Sequence, residues 1–388
     1  MQLGLACLAS GASSDRGRGL GLLSARVTDG GEWGVTALRA LLADSVEHGD
    51  RASMAKWALS LRRHPRCTLA DLRSCLMATS RADEEHFQAM LAEIRALLAP
   101  SQLRTAQLLD WLGEMGGAAG AERLALARSV SAPLTRSPPL FVAVAETYRK
   151  QALWDELKHW TQAADWGRQI AVVRAAYAFH ADRRLGAARE AQLDWGEVCR
   201  LASGDGAQAH FAARLLYAWG ERAAAVELLW AAADSPEANV EALGMLARHY
   251  QAERDAAGQC RAFALLHALR PSDRAIANNY AFFAAVTKSG NGTEVERIAR
   301  YNLAEEPSNA VFRSCFAFIL ASEGQPGEAL RVLSPVSAKW KSSPAVAFAY
   351  AVALAGAGRA PEAREVGASL DPRGLTLEEV RLLACVLK

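Results

Sequence analysis

Apolar residues recur along most of this chain at the three- and four-residue spacing of amphipathic helices, with polar residues between them. In the stretch from Gly206 the apolar stripe runs through Ala213, Leu216, Leu229 and Ala232. In the next, from Val240, it runs through Leu246, Tyr250, Phe263 and Leu266. Runs of β-branched residues with period-two alternation are nearly absent, so the pattern predicts essentially no sheet. Gly116, Gly220, Gly324 and Gly358 each fall after one such stripe, where a left-handed residue lets the chain reverse into a second helix. Pro236, Pro271 and Pro307 then end second helices, because proline cannot continue one. The chain therefore reads as a succession of helix–turn–helix pairs.

The pairs are in register with one another. Ala145, Ala176, Ala213, Ala247, Ala281, Ala317 and Ala351 return at intervals of 31 to 37 residues, each inside a first helix. A second set, Ala121, Ala225, Ala329 and Ala363, follows each turn glycine by five residues. Small residues at fixed points let two helices approach to the short end of the usual range, about 8–10 Å between axes. A period near 34 with two helices per unit is the mark of a stacked helical repeat, in which each unit contacts its neighbours and the core grows lengthwise. About ten units fit the length. Such a stack offers a surface to a partner more readily than a closed pocket to a substrate.

These landmarks resemble the tetratricopeptide repeat (TPR) family. The segment 240–273 carries Leu246, Ala247, Tyr250, Phe263 and Pro271 where that family has large, small, large, large and proline, although Gln259 replaces a small residue. The segment 310–343 matches through Phe316, Ala317, Leu320, Gly324, Ala329 and Leu333, and Asn278-Asn279-Tyr280-Ala281 looks like a run common in bacterial members. The resemblance implies an all-α α-solenoid: a right-handed TPR-like superhelix of antiparallel helix pairs. It also implies that partners bind on the concave face, lined by the first helices. Carried over position by position, that face presents His210, Arg214, Tyr217, Arg248, Gln251, Asn278, Phe282, Ser314 and Phe318. Two arginines followed by two phenylalanines suit a partner segment with an acidic end and an apolar end. The lysine and asparagine clamp with which some members hold a C-terminal carboxylate is absent, since Val142, Glu146, Val173 and Tyr177 stand in its place.

Four segments follow. Residues 1–30 are glycine-rich and contain Arg16 and Arg18, and are expected to form a flexible leader; residues 31–137 form degenerate helical repeats; residues 138–374 form the TPR-like array. Residues 375–388 form a C-terminal capping helix after the breaker run Asp371-Pro372-Arg373-Gly374, with Thr376 and Glu379 as the two halves of a capping box. That helix is expected to cover the apolar end of the stack.

Charge and chemistry narrow the function. With 44 basic and 42 acidic residues the net charge is +2, too balanced for a phosphate backbone, so no nucleic-acid partner is expected. The seven cysteines never form a CxxC pair, which argues against a disulfide framework or a zinc site and for buried thiols in a reducing, cytoplasmic setting. No run approaches the roughly 18 apolar residues of a membrane span. No HExxH, GxSxG or phosphate-loop spacing occurs, and the histidines are scattered, so neither catalysis, a metal nor a cofactor is expected. The tryptophans at 154, 160, 166, 195, 219 and 230 fall mostly on second helices, where they fill gaps between units. The chain reads as a protein-interaction scaffold holding a protein or peptide. The rival readings are a helical-repeat RNA binder and a regulatory cup for a small peptide.

Overall fold

A computed structural model describes residues 1–10, 13–236 and 239–386. The described residues form twenty-three α-helices and four 3₁₀ segments, with no strand among them. Two compact units divide at Trp195–Gly196. The first contains α1 (Gln2–Ala9), α2 (Ser13–Ser24), α3 (Glu32–Glu47), α4 (Arg51–Arg63), α5 (Leu69–Ala82), α6 (Glu84–Leu98), α7 (Gln102–Met115), α8 (Ala118–Ser129), α9 (Pro138–Lys150), α10 (Trp154–Gln162) and α11 (Ala171–Leu185). The division falls within α12 (Ala188–Ala202). The second contains α13 (Gly206–Ala218), α14 (Arg222–Ala233), α15 (Asn239–Ala252), α16 (Ala256–Leu269), α17 (Arg274–Thr287), α18 (Gly292–Glu305), α19 (Ala310–Ser322), α20 (Pro326–Leu333), α21 (Pro344–Gly356), α22 (Ala360–Ala368) and α23 (Leu377–Val386).

Each unit is a stack of helix hairpins in two layers. In the first, α3, α5, α7 and α9 touch in succession while α4, α6, α8 and α10 pair with them from behind. In the second, α17, α19 and α21 make the same succession, backed by α18, α20 and α22. Six of the seven column alanines are fully buried and Ala247 is 8% exposed, which is what close helix contact at a fixed point requires. Gly116, Gly220, Gly324 and Gly358 all have positive φ, between 68° and 86°, so the reversal between paired helices uses the conformation that glycine adopts without penalty. The second small position is less regular. Ala225, Ala329 and Ala363 are fully buried there, but Ala121 is exposed and Ala119 makes the buried contact in α8. Gln259 is buried at the same point of α16. Trp160 and Trp166 pack against Phe141, and the Trp160 indole N–H donates to the Phe141 carbonyl (3.0 Å), so these rings belong to the core.

Two expectations need correction. Residues 1–30 contain α1 and α2, which pack on each other, and α2 packs on α3. Leu23 is fully buried, and Arg16 makes a bidentate pair with Asp44 (2.9 and 2.7 Å). The glycines expected to loosen this segment include two at a helix contact: a Cβ on Gly19 would stand 2.9 Å from the Gly4 carbonyl. The second correction concerns α23. Its capping box is present, with Glu379 Oε2 accepting from the Thr376 N–H (2.8 Å) and hydroxyl (2.7 Å). The helix nevertheless lies against α17 and α21, on the layer of first helices, and not as a lid over the end of the stack.

Unit 1 also holds a close acidic pair, buried Asp182 and half-buried Asp194. Lys158 Nζ stands 2.6 Å from Asp182 Oδ1, and Asp182 is 1% exposed. Burial first, and then the neighbouring Asp182, push the Asp194 carboxyl up to about 6. A carboxyl raised in the folded state stabilises below its unfolded value, near 4, and loses that contribution as pH rises through 6. Asp194→Asn should therefore raise the melting temperature at pH 7 and flatten its rise between pH 7 and 5. An unchanged slope in the variant, followed by circular dichroism, would exclude this pair as its source.

Candidate functional site

On α13, residues His210, Arg214 and Tyr217 stand at i, i+4 and i+7, which places them on one stripe of the helix. Asp205 starts that helix by accepting from the Gln208 N–H (3.0 Å). On α15, Glu241, Gly244 and Arg248 make the matching stripe at i, i+3 and i+7. The two stripes face a single open cleft of about 450 Å³, completed by Val240 and Met245. Four of the residues picked from sequence, His210, Arg214, Tyr217 and Arg248, thus meet in one place.

The charges in this cleft are uneven. Arg214 and Arg248 are exposed, and among the described residues neither has an ion-pair partner. Other arginines of the unit divide: Arg222 pairs with Glu253, Arg274 with Glu305 and Glu306, and Arg200 with Glu197, while among the described residues exposed Arg261, Arg270 and Arg381 also have no ion pair. Gly244 has no side chain to fill the space, and a Cβ there would meet only the tip of Arg248 at 3.7 Å. His210 is 9% exposed, with Nδ1 3.5 Å from Glu241 Oε2 and a buried Nε2 that has no partner. Burial holds the His210 imidazole below its ordinary pKa; Glu241 opposes this and Arg214 adds to it. The imidazole is therefore neutral near pH 7, and the two guanidiniums carry the positive charge. The Tyr217 hydroxyl lies 3.5 Å from His249 Nδ1, with the rings edge to face at 5.8 Å. Two unpaired guanidiniums over a glycine floor can hold a carboxylate, each through its planar fork of donors.

The remaining sequence-predicted residues lie elsewhere. Gln251 is exposed at the end of α15. Asn278 and Ser314 are each 3% exposed, and the Ser314 hydroxyl donates back to the Ala310 carbonyl (2.6 Å). Phe318 is 1% exposed and half-buried Phe282 lies against it, with ring centroids 5.4 Å apart; both also contact Phe348 (5.2 and 6.0 Å). Asn278, Ser314 and Phe318 are thus closed to a partner here, a correction to the expected apolar end of the groove. The physical reason is that large rings on three successive first helices bury one another.

Sequence reasoning missed Arg254. It occupies the turn between α15 and α16 with φ +59°, at the point where four other turns carry Gly116, Gly220, Gly324 and Gly358 and two carry Ala152 and Lys288, also with positive φ. Its guanidinium donates to the carbonyls of Leu375 (2.6 Å) and Pro372, 121 and 118 residues away in sequence. The only local signal is a non-glycine residue in that column, shared with Ala152 and Lys288.

Among the described residues no three His, Cys, Asp or Glu side chains gather at metal-binding distance, and no helix is long and apolar enough to cross a membrane. No family model and no curated protein matches the chain. Solved structures do. A tetratricopeptide repeat protein from Parabacteroides merdae is 15% identical, with a TM-score of 0.34 over 65% of this chain and 99% of that one. The APC/C hetero-tetramer Cut9–Hcn1 gives 12% identity and 0.31 over 99% of this chain and 82% of that one. The P58(IPK) TPR domain gives 14% and 0.22 over 91% and 99%. Scores this low carry no weight on how the helices are arranged, and the all-α hairpin stack stands on its own helix contacts.

Proposed function

We propose that the chain is a protein-interaction scaffold, and that the cleft between α13 and α15 receives an acidic segment of a partner protein on Arg214 and Arg248. The observation that carries this reading is that two exposed guanidiniums without carboxylate partners line one cleft, beside a glycine that leaves space for a bound group. Tyr217 borders the same cleft and adds a polar contact for the bound segment. Gln251 lies one turn beyond Arg248 and extends the strip.

Exposed charges contribute little to folding, about 0–1 kcal/mol per pair, whereas losing one side of a desolvated interfacial pair costs about 2–5 kcal/mol. Binding and stability should therefore separate. A fluorescent decapeptide of alternating glutamate and alanine should bind the whole protein and weaken with added salt. Arg214→Glu with Arg248→Glu should reduce that binding about thirtyfold or more while leaving the melting temperature within a few degrees. Equal binding in the double variant would remove the cleft from consideration. Tighter binding of a single-stranded RNA decamer than of the peptide, lost in the same variant, would replace the protein partner with nucleic acid.

A further inference from the structure

The C-terminal segment packs on the layer of first helices of the second unit. Its α23 touches both α17 and α21, the two first helices that flank α19. The rings of Phe282, Phe318 and Phe348, one from each of the three helices, meet in the apolar cluster of this unit. Leu375 and Leu383 are buried in the same apolar cluster, and Val380 and Leu382 pack against it. Leu377 points away and is 47% exposed, so α23 is amphipathic and its apolar stripe is spent on this face.

The attachment is polar at one end. Besides the Arg254 guanidinium on Pro372 and Leu375, the Leu377 N–H donates to the Arg254 carbonyl (2.9 Å) and the Ala256 N–H donates to Glu378 (3.2 Å). Arg254 makes the clamp from a left-handed backbone that glycine would hold without strain, and the strained arginine is the residue that makes the contact. Thr376 and Glu379 are buried at 5% and 7% exposure, each satisfied by the other. A helix of ten residues is too short to persist alone in water, so α23 is helical because it is docked.

From this we infer that the face of α17, α19 and α21 is a helix-binding groove, that α23 is its tethered occupant, and that a partner's amphipathic helix of like pattern exchanges with it. The matching chemistry is a Ser or Thr cap with acidic residues in the first turn, followed by leucine or valine on the stripe of Leu375, Val380 and Leu383. The site is distinct from the acidic-segment cleft, uses none of its residues, and stands or falls separately from it.

The probe is a fluorescent peptide of residues 371–386 of this chain, with a control in which Val380 and Leu383 are serine. Arg254→Gly keeps the left-handed turn and removes the guanidinium, so it should fold with its melting temperature little changed. Hydrogen exchange in 377–386 should accelerate at least tenfold in this variant, and the probe should bind it at least tenfold more tightly than the wild type. The serine control should bind neither. Native-state exchange in which 377–386 opens only with global unfolding of the unit, in both proteins, would overturn the proposal by making α23 part of the core. Failure of the probe to bind a variant whose α23 exchanges fast would overturn it as well. A concentration-dependent dimer of Arg254→Gly that excludes the probe would assign the groove to a second copy of the chain. Should Arg254→Gly misfold, Val380→Asp with Leu383→Asp undocks α23 from the other end and is held to the same readouts.

Discussion

Gly34→Ala should destabilise the first unit by about 3 kcal/mol, at or above the usual range for overpacking. A Cβ at this position of α3 would stand 1.7 Å from the Asp29 carbonyl oxygen, so the backbone itself must move. That carbonyl also accepts from His64 Nε2 (2.9 Å), at the end of α4, while His64 Nδ1 accepts from the Arg66 N–H (3.1 Å). The two contacts assign Nε2 as the donor and Nδ1 as the acceptor of the ring, and moving Asp29 breaks the first of them. The loss should appear as a melting shift on the order of 6–12 °C in a unit of this size. Gly17→Ala is the control. Gly17 is exposed in α2 with nothing within 4 Å of a Cβ, and there the change should stabilise by about 0.5–1 kcal/mol through helix propensity. Equal and small effects at the two glycines would mean that the 25–31 connection does not press on α3 as described.

The same contrast explains why the first thirty residues misled a reading from composition. Glycine content lowers helix propensity, and by that measure Gly17, Gly19 and Gly21 speak for a loose segment. Gly4 and Gly19, however, are where α1 and α2 press together, and Arg16 reaches Asp44. Propensity is a local quantity and a helix contact is not, so the contact decided the outcome. The alanine column was legible for the opposite reason. Its signal is repeated seven times at one phase of the helix, whereas the second small position, with exposed Ala121 and buried Gln259, is a weaker guide.

The candidate site divides along the same line. His210, Arg214, Tyr217 and Arg248 could be picked because their register on α13 and α15 follows from the repeat alone. The capping box of α23 could be read because Thr376 and Glu379 are three residues apart. Where α23 docks could not be read, because the deciding contact joins Arg254 to a carbonyl 121 residues later. A non-glycine residue in the turn column does not single Arg254 out, since Ala152 and Lys288 stand there too. For Phe282 and Phe318 the sequence placed the rings on the correct layer of helices, but burial by neighbouring rings is settled by side-chain packing, which a register does not contain.

Phe318→Ala accordingly tests whether that end of the face is core or contact surface. A phenylalanine that is 1% exposed and touches two other rings should cost about 3–5 kcal/mol when truncated, the transfer term plus the cavity left behind. The melting temperature of the second unit should fall by on the order of 10 °C. Phe282→Ala should cost less, because its ring is only half buried and solvent can relax into part of the space. Arg214→Glu, by comparison, should leave the melting temperature nearly unchanged, since it alters an exposed charge with no partner to lose. A Phe318→Ala protein that melts like the wild type would put the ring back on an open surface and return the apolar end of the groove to a partner. If it melts early, the loosened ring layer should also speed hydrogen exchange in α23, because the helix rests on the cluster to which Phe318 belongs.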